Sequence, residues 1–156
     1  MKLMFKQRLF SWFDSYDIFD SQRQPVYTVQ GKLAWGHRLE IYDQSGVHIA
    51  TLQQRVLTLL PKFEIYIGDS LVGEIFKEFT FFRPAFQVSC NGWQVSGNFI
   101  EWDYRITAGG QVVATVEKQL FNFTDAYLID VRDPQDSLLA LMVVLAIDAA
   151  KCSQSD

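Results

Sequence analysis

From Leu138 to Ile147 the chain carries ten consecutive residues without one polar side chain, inside the stretch DSLLALMVVLAIDAAKC. Ten residues are half of the about 20 that a helix needs to cross a bilayer. Asp136 and Asp148 bracket the run, and carboxylates at those boundaries are costly in hydrocarbon. No transmembrane segment is expected. The local signals are those of a helix. Asp133 can cap its N-terminus, Pro134 suits the first helical position, and Asp136 adds negative charge to the first turn. The spacing predicts a helix over 134–151, about 27 Å long at about 1.5 Å per residue. Apolar on every face, it must be surrounded by other parts of the fold.

The material upstream reads as β-structure. Turn signals recur at Asp20-Ser21-Gln22, Asp43 to Gly46, Gly68-Asp69-Ser70, Asn91-Gly92, Ser96-Gly97-Asn98 and Ala108-Gly109-Gly110. Asn91-Gly92 suits a two-residue hairpin turn with positive φ at both positions. Between them lie runs rich in Val, Ile, Tyr, Phe and Thr, several alternating apolar with polar, as in Arg38 to Asp43. They predict about twelve strands, at 3–10, 15–20, 25–31, 36–43, 47–55, 61–68, 71–79, 84–90, 93–97, 101–107, 111–119 and 124–131. No Pro- or Ser-rich linker divides them, so 1–156 is expected to form a single domain. Sheets avoid exposed edges most completely by closing. Eight strands already fill a barrel with their own side chains, so about twelve leave room for a helix about 10–12 Å across. The expectation is a mainly β fold: a closed antiparallel barrel around a central hydrophobic C-terminal helix. A β-sandwich with a packed helix is compatible with the same composition.

Charge narrows the function. A net charge of −4 lacks the basic surplus of nucleic-acid binders, so no nucleic acid is expected as a partner. Cys90 and Cys152 have no metal-type spacing and imply no disulfide framework, which suits a reducing, cytoplasmic setting. Lys6, Gln7 and Arg8 interrupt the apolar start that a secretory signal would require. The sequon at Asn122 lies in a strand-like run and is not expected to be glycosylated. The N-terminal run to Phe13 mixes Lys2, Lys6 and Arg8 with Phe5, Phe10 and Trp12, as an interfacial anchor would, but is read as a strand.

The ordered segments KQRLFSWFDSYDIFD, VQGKLAWGHRLEIYDQSG, LPKFEIYIGDSLVGEIFKEFTFF, SGNFIEWDYRIT, GQVVATVEKQLFNFTDAYLIDV and LALMVVLAIDAA resemble the bacterial YxjI-like branch of the LURP-one-related family over residues 3–150. The resemblance implies the Tubby C-terminal fold, a twelve-stranded barrel around a hydrophobic C-terminal helix. It also implies kinship with phospholipid scramblases and with Tubby domains that bind phosphoinositides. It implies no particular activity for this branch.

Phosphate recognition would need converging cations. Arg55, Lys62, Lys77 and Lys118 are the candidate anion or lipid-headgroup contacts, with Arg83 and Arg132 also near strand ends. Glu74, Glu78 and Glu117 would weaken such a patch, and neither the cysteine cluster nor the proline-rich leader of scramblases is present. A solvated strand face is the plainer account of these cations. His37 and His48, on neighbouring strands, lack a third ligand, so no metal is expected. Glu101 with Asp103, at i, i+2, and Asp14 with Asp17, at i, i+3, are paired carboxylates, useful for acid–base chemistry only if buried in a cleft. Asp148, on a buried helix, is expected to act as a polar tie at one end of the barrel. The cysteines have no evident activating base. No nucleophile elbow, Walker loop or dinucleotide motif occurs, and no cofactor is expected.

The expected function is therefore a non-enzymatic binding or scaffold domain, with an unknown protein or lipid partner docking on the outer barrel surface. Peripheral membrane binding to phospholipid or phosphoinositide is the alternative, and an enzyme with an unrecognised site a third. The helix side chains are expected to fill the lumen and leave no interior ligand cavity.

Overall fold

The apolar helix makes its contacts with opposite walls of a closed β-barrel. The computed structural model describes residues 1–6, 15–32, 34–78, 85–121 and 124–152. Twelve strands are β1 (Lys2–Lys6), β2 (Ser15–Phe19), β3 (Pro25–Lys32), β4 (Arg38–Tyr42), β5 (His48–Gln54), β6 (Lys62–Ile67), β7 (Ser70–Glu78), β8 (Ala85–Val88), β9 (Trp93–Asn98), β10 (Asp103–Ala108), β11 (Gln111–Phe121) and β12 (Thr124–Val131). Each pairs antiparallel with its neighbours in sequence, and β1 closes the ring against β12. The helix α1 (Ser137–Cys152) packs against β11 and β12 on one side and β6 and β7 on the other. Those two pairs lie across the ring from each other.

Alternation along the strands builds the lumen. In β4, Leu39 and Ile41 are buried while Arg38, Glu40 and Tyr42 stay half-exposed; in β6, Phe63 and Ile65 are buried beside Lys62, Glu64 and Tyr66. These inward residues share one hydrophobic core with Leu141 to Ile147 of α1, all fully buried. At about 1.5–3 kcal/mol for each large apolar side chain removed from water, this central column is a dominant source of stability. The Asn91-Gly92 turn has the expected geometry, with φ of 56° and 63°.

Each of the twelve expected strands overlaps an observed one, with differences at the ends. The first is β1, Lys2–Lys6; the expected continuation to residue 10 lies outside the described residues, as do Asp14 and Arg83. The strand expected from 101 begins at Asp103, because Trp102 takes a left-handed φ of 55° in the preceding turn. The helix expected from Pro134 begins as a 3₁₀ turn, Pro134–Asp136, and becomes α-helical at Ser137. Asp133 caps that turn, its carboxylate accepting from the Gln135 N–H at 3.0 Å. The Tyr27 and Ser137 hydroxyls lie 2.8 Å apart, which ties the start of α1 to β3.

Truncating Leu141 to Ala should cost about 2–5 kcal/mol in urea unfolding, and Leu141→Asp more, since a charge would be left unpaired in the core. A 1–133 fragment should be insoluble. A soluble fragment with a cooperative unfolding transition would contradict the role given to the helix.

Candidate functional site

Two neighbouring loops at one end of the barrel hold apolar side chains in water. The loop between β3 and β4 carries Trp35, and the loop between β5 and β6 carries Val56, Leu57 and Leu59. Trp35 is 88% exposed, Leu57 102% and Leu59 97%. Single exposed leucines are ordinary. A Trp and two Leu on adjacent loops form a patch of the kind that marks an interaction surface.

The backbone beneath this patch is fastened. Gln54 N–H donates to the His37 carbonyl at 2.8 Å, and the His37 N–H donates to the Gln54 side-chain oxygen at 3.0 Å. Gln53 Nε2 donates to the Trp35 carbonyl at 3.2 Å. Gly36 has φ of +82°, and a Cβ there would stand 3.0 Å from the Gln54 carbonyl oxygen and 3.1 Å from Val56 Cγ1. Only glycine meets both demands at that close approach. Leu57 itself has φ of 62°, an unfavourable conformation for a leucine, with its side chain pointing into water.

Below the rim the outer wall is a ladder of paired charges. Arg55 lies 3.6 Å from Glu64 and 3.9 Å from Glu74, while Lys62 meets Glu74 at 2.8 Å and sits 5.9 Å from the Phe76 ring centroid. On the adjacent strands Glu40 pairs with Arg38 at 3.3 Å and Lys32 at 3.9 Å, and accepts from the Tyr42 hydroxyl at 2.6 Å. Burial alone would raise the Glu40 carboxyl, but the Tyr42 bond, His48 and Arg38 together bring it below its ordinary value. Tyr66 donates to Glu64 at 2.6 Å, and that bond holds its phenol protonated to higher pH.

The candidate cations therefore divide. Arg55 and Lys62 come together around Glu74. Lys77 is on β7, where its N–H donates to the Pro61 carbonyl at 3.0 Å and burial lowers its ammonium pKa. Lys118 is on β11, across the ring, so the four do not converge on one phosphate. Arg132 lies at the opposite end of the barrel, beyond the end of β12. Glu74 itself supplies the acidic neighbour expected at this patch.

His37 and His48 sit at opposite ends of the β4–β5 hairpin and cannot share a ligand. His48 Nε2 instead lies 2.9 Å from the Ala50 carbonyl and 2.8 Å from Thr51 Oγ1. Glu101 is in the turn before β10, so it and Asp103 do not share a strand face. Cys90 is buried, and burial raises its thiol pKa, which keeps it unreactive. Among the described residues no group of three His, Cys, Asp or Glu could hold a metal ion. No described helix is long and apolar enough to cross a membrane.

Asp148 is buried within α1, near enough to Tyr104 of β10 for its charge to act on that phenol, and a cluster of aromatic rings adjoins Tyr104. Trp102 stacks on Tyr127 at 3.9 Å, Tyr127 meets Phe5 edge-on at 5.1 Å, and Phe99 lies 5.1 Å from Tyr104. The Tyr104 hydroxyl is buried and has no hydrogen-bond partner among the described residues. Burial first, then the charge of Asp148, pushes its phenol well above the ordinary value. A phenol with a raised folded-state pKa adds stability that is intact below about pH 10 and lost as pH rises through the folded value. Tyr104→Phe should therefore be at least as stable as the parent at pH 7, and should lose less stability between about pH 9 and 11. Urea midpoints at about pH 7, 9 and 11 check this; a loss of about 2 kcal/mol at pH 7 would mean that the hydroxyl has a partner.

Comparison with known proteins agrees with the architecture. The family model described as LURP-one-related matches residues 1–148. The Bacillus subtilis (strain 168) protein YxjI, described as uncharacterised, is 29% identical over 157 residues, covering 100% of this chain and 97% of its own. The X-ray structure of a protein from Arabidopsis thaliana superposes with a TM-score of 0.61 at 13% identity, over 94% of this chain and 90% of that one.

Proposed function

Because the chain belongs to the LURP-one-related family, whose model spans nearly its whole length, we propose that it is a non-enzymatic docking domain whose protein partner seats on the rim of the barrel. The observation that carries this reading is the juxtaposition of Trp35, Leu57 and Leu59, almost fully exposed on loops whose backbones are tied together. Apolar anchors on a rigid base lose little conformational entropy on binding, and Trp is prominent among hot-spot residues. The non-catalytic reading is supported by a lumen filled by α1, a thiol suppressed by burial and a His48 ring engaged by Ala50 and Thr51. The buried Cys90 thiol, free of any disulfide among the described residues, supports a cytoplasmic setting.

A second reading is peripheral contact with phospholipid. It is supported by the same apolar tips, bordered by Lys32, Arg38, Arg55 and Lys62, an arrangement suited to the bilayer interface.

A photo-crosslinking residue at Leu57 should yield a discrete protein adduct in cells, whereas one at Val47, exposed at the other end of the barrel, should not. Trp35→Ser with Leu59→Ser should abolish the adduct and leave the thermal unfolding midpoint within a few degrees. Equal adducts at both positions would refute the rim as the docking surface. A blue shift of Trp35 emission with phosphatidylserine vesicles, absent in Trp35→Phe, would select the membrane reading instead.

A further inference from the structure

The seam between β1 and β2 forms a small apolar cleft on the outer wall, separate from the rim. Along its whole length β1 pairs with β12, but among the described residues it pairs with β2 only where Met4 faces Phe19. Residues directly opposite one another project from the same face of a sheet. Leu128, Met4 and Phe19 therefore make a row across three strands, continued by Ala126 opposite Lys6. Their neighbours Leu3, Phe5, Ile18, Tyr127 and Ile129 are buried in the lumen, so this row belongs to the outside.

Over the row lies a cleft of about 230 Å³ with Lys6 and Arg23 among its lining residues. Lys6 is two residues along β1 from Met4, while Arg23 belongs to the turn that follows Phe19, so the two cations flank the apolar floor from different directions. A positive border on an apolar cleft, in a chain of net charge −4, favours a ligand with an apolar body and one anionic head. The cleft is smaller than the about 300–1,000 Å³ of pockets for drug-sized ligands, which excludes a bulky occupant.

We propose that this cleft binds one medium-chain carboxylate, its chain lying along Leu128, Met4 and Phe19 and its carboxylate held by the Lys6 ammonium, with Arg23 adding positive potential. Methyl-labelled protein titrated with decanoate below its micelle concentration provides the test. The Met4, Ala126 and Leu128 methyl signals should move together in a saturable, one-to-one manner, while those of Leu141 and Ile147 stay in place. Lys6→Gln should weaken decanoate binding by about tenfold, the scale of one charged contact, without changing the affinity for decanol. Ala126→Trp should fill the cleft and abolish binding, with its folding verified by the unmoved helix methyl signals. Static methyl signals at Met4, Ala126 and Leu128 would overturn the assignment, as would equal affinities for decanoate and decanol. Tighter binding of decyl phosphate than of decanoate would also overturn it, by assigning the cleft to a phosphate-headed amphiphile. Because the rim residues take no part, failure here leaves the docking reading intact.

Discussion

A helix with no polar face must be kept dry on every side, and the rest of the structure answers that requirement. Leu141 to Ile147 are fully buried, and α1 meets β6 and β7 on one side and β11 and β12 on the other. A single sheet would cover only one side of such a helix. A ring covers all of it and at the same time pairs every strand with two others, which removes the exposed edges that invite aggregation. Lumen and helix thus fix each other's size. Twelve strands without the helix would enclose a large void, and the helix without the strands would expose a column of Leu, Val, Ile and Met.

Filling the lumen pushes recognition outward. The inward side chains of the strands share one core with α1, so on the reading proposed above ligand contacts fall to the outward half and to the loops. On β4 to β7 the outward residues are largely satisfied by one another: Arg38 with Glu40, Arg55 and Lys62 with Glu74, Tyr66 with Glu64. Exposed pairs of this kind contribute at most about 1 kcal/mol each, and they reduce the net positive charge available to an anion. The rim differs, because Trp35, Leu57 and Leu59 have no neighbour that covers them.

Much of this architecture is legible in the sequence because its signals are local. Val, Ile and aromatic runs of alternating polarity mark the strands, Asn91-Gly92 marks its hairpin, and the apolar run from Leu138 marks the helix. The boundaries are less legible where backbone conformation overrides composition. Trp102 has a strand-forming side chain but sits in a left-handed turn, and the 3₁₀ turn at Pro134 delays α1 to Ser137. The rim was hidden for a different reason. VLTLLP, Val56 to Pro61, has the composition of a core segment, and only the position of the loop shows that Leu57 and Leu59 face water. Its signal was an apolar run falling between two strands that already had their inward residues. The dispersal of Lys77 and Lys118 is likewise a matter of ring order, since residues on β7 and β11 are separated by three strands.

Ring closure sets the character of the seam at β1. Eleven of the twelve strand contacts join consecutive strands; the twelfth joins β1 to β12 across nearly the entire chain, with the Met1 ammonium donating to the Val131 carbonyl at 2.6 Å. Such a contact carries a large loop-closure cost, which local hairpins do not repay. The helix can repay it, because α1 packs on β12 and begins six residues after β12 ends. Once β12 is held by α1, β1 has a fixed edge to join along all five of its residues, from Lys2 opposite Asp130 to Lys6 opposite Ala126. Its other edge meets β2, among the described residues, through the Met4–Phe19 pairing that completes the ring. Among the described residues the β1–β2 seam, like β8–β9 with its Gln87–Gln94 pairing, is sparsely paired, and an opening in the outer wall beside β1 leaves the packing around α1 intact.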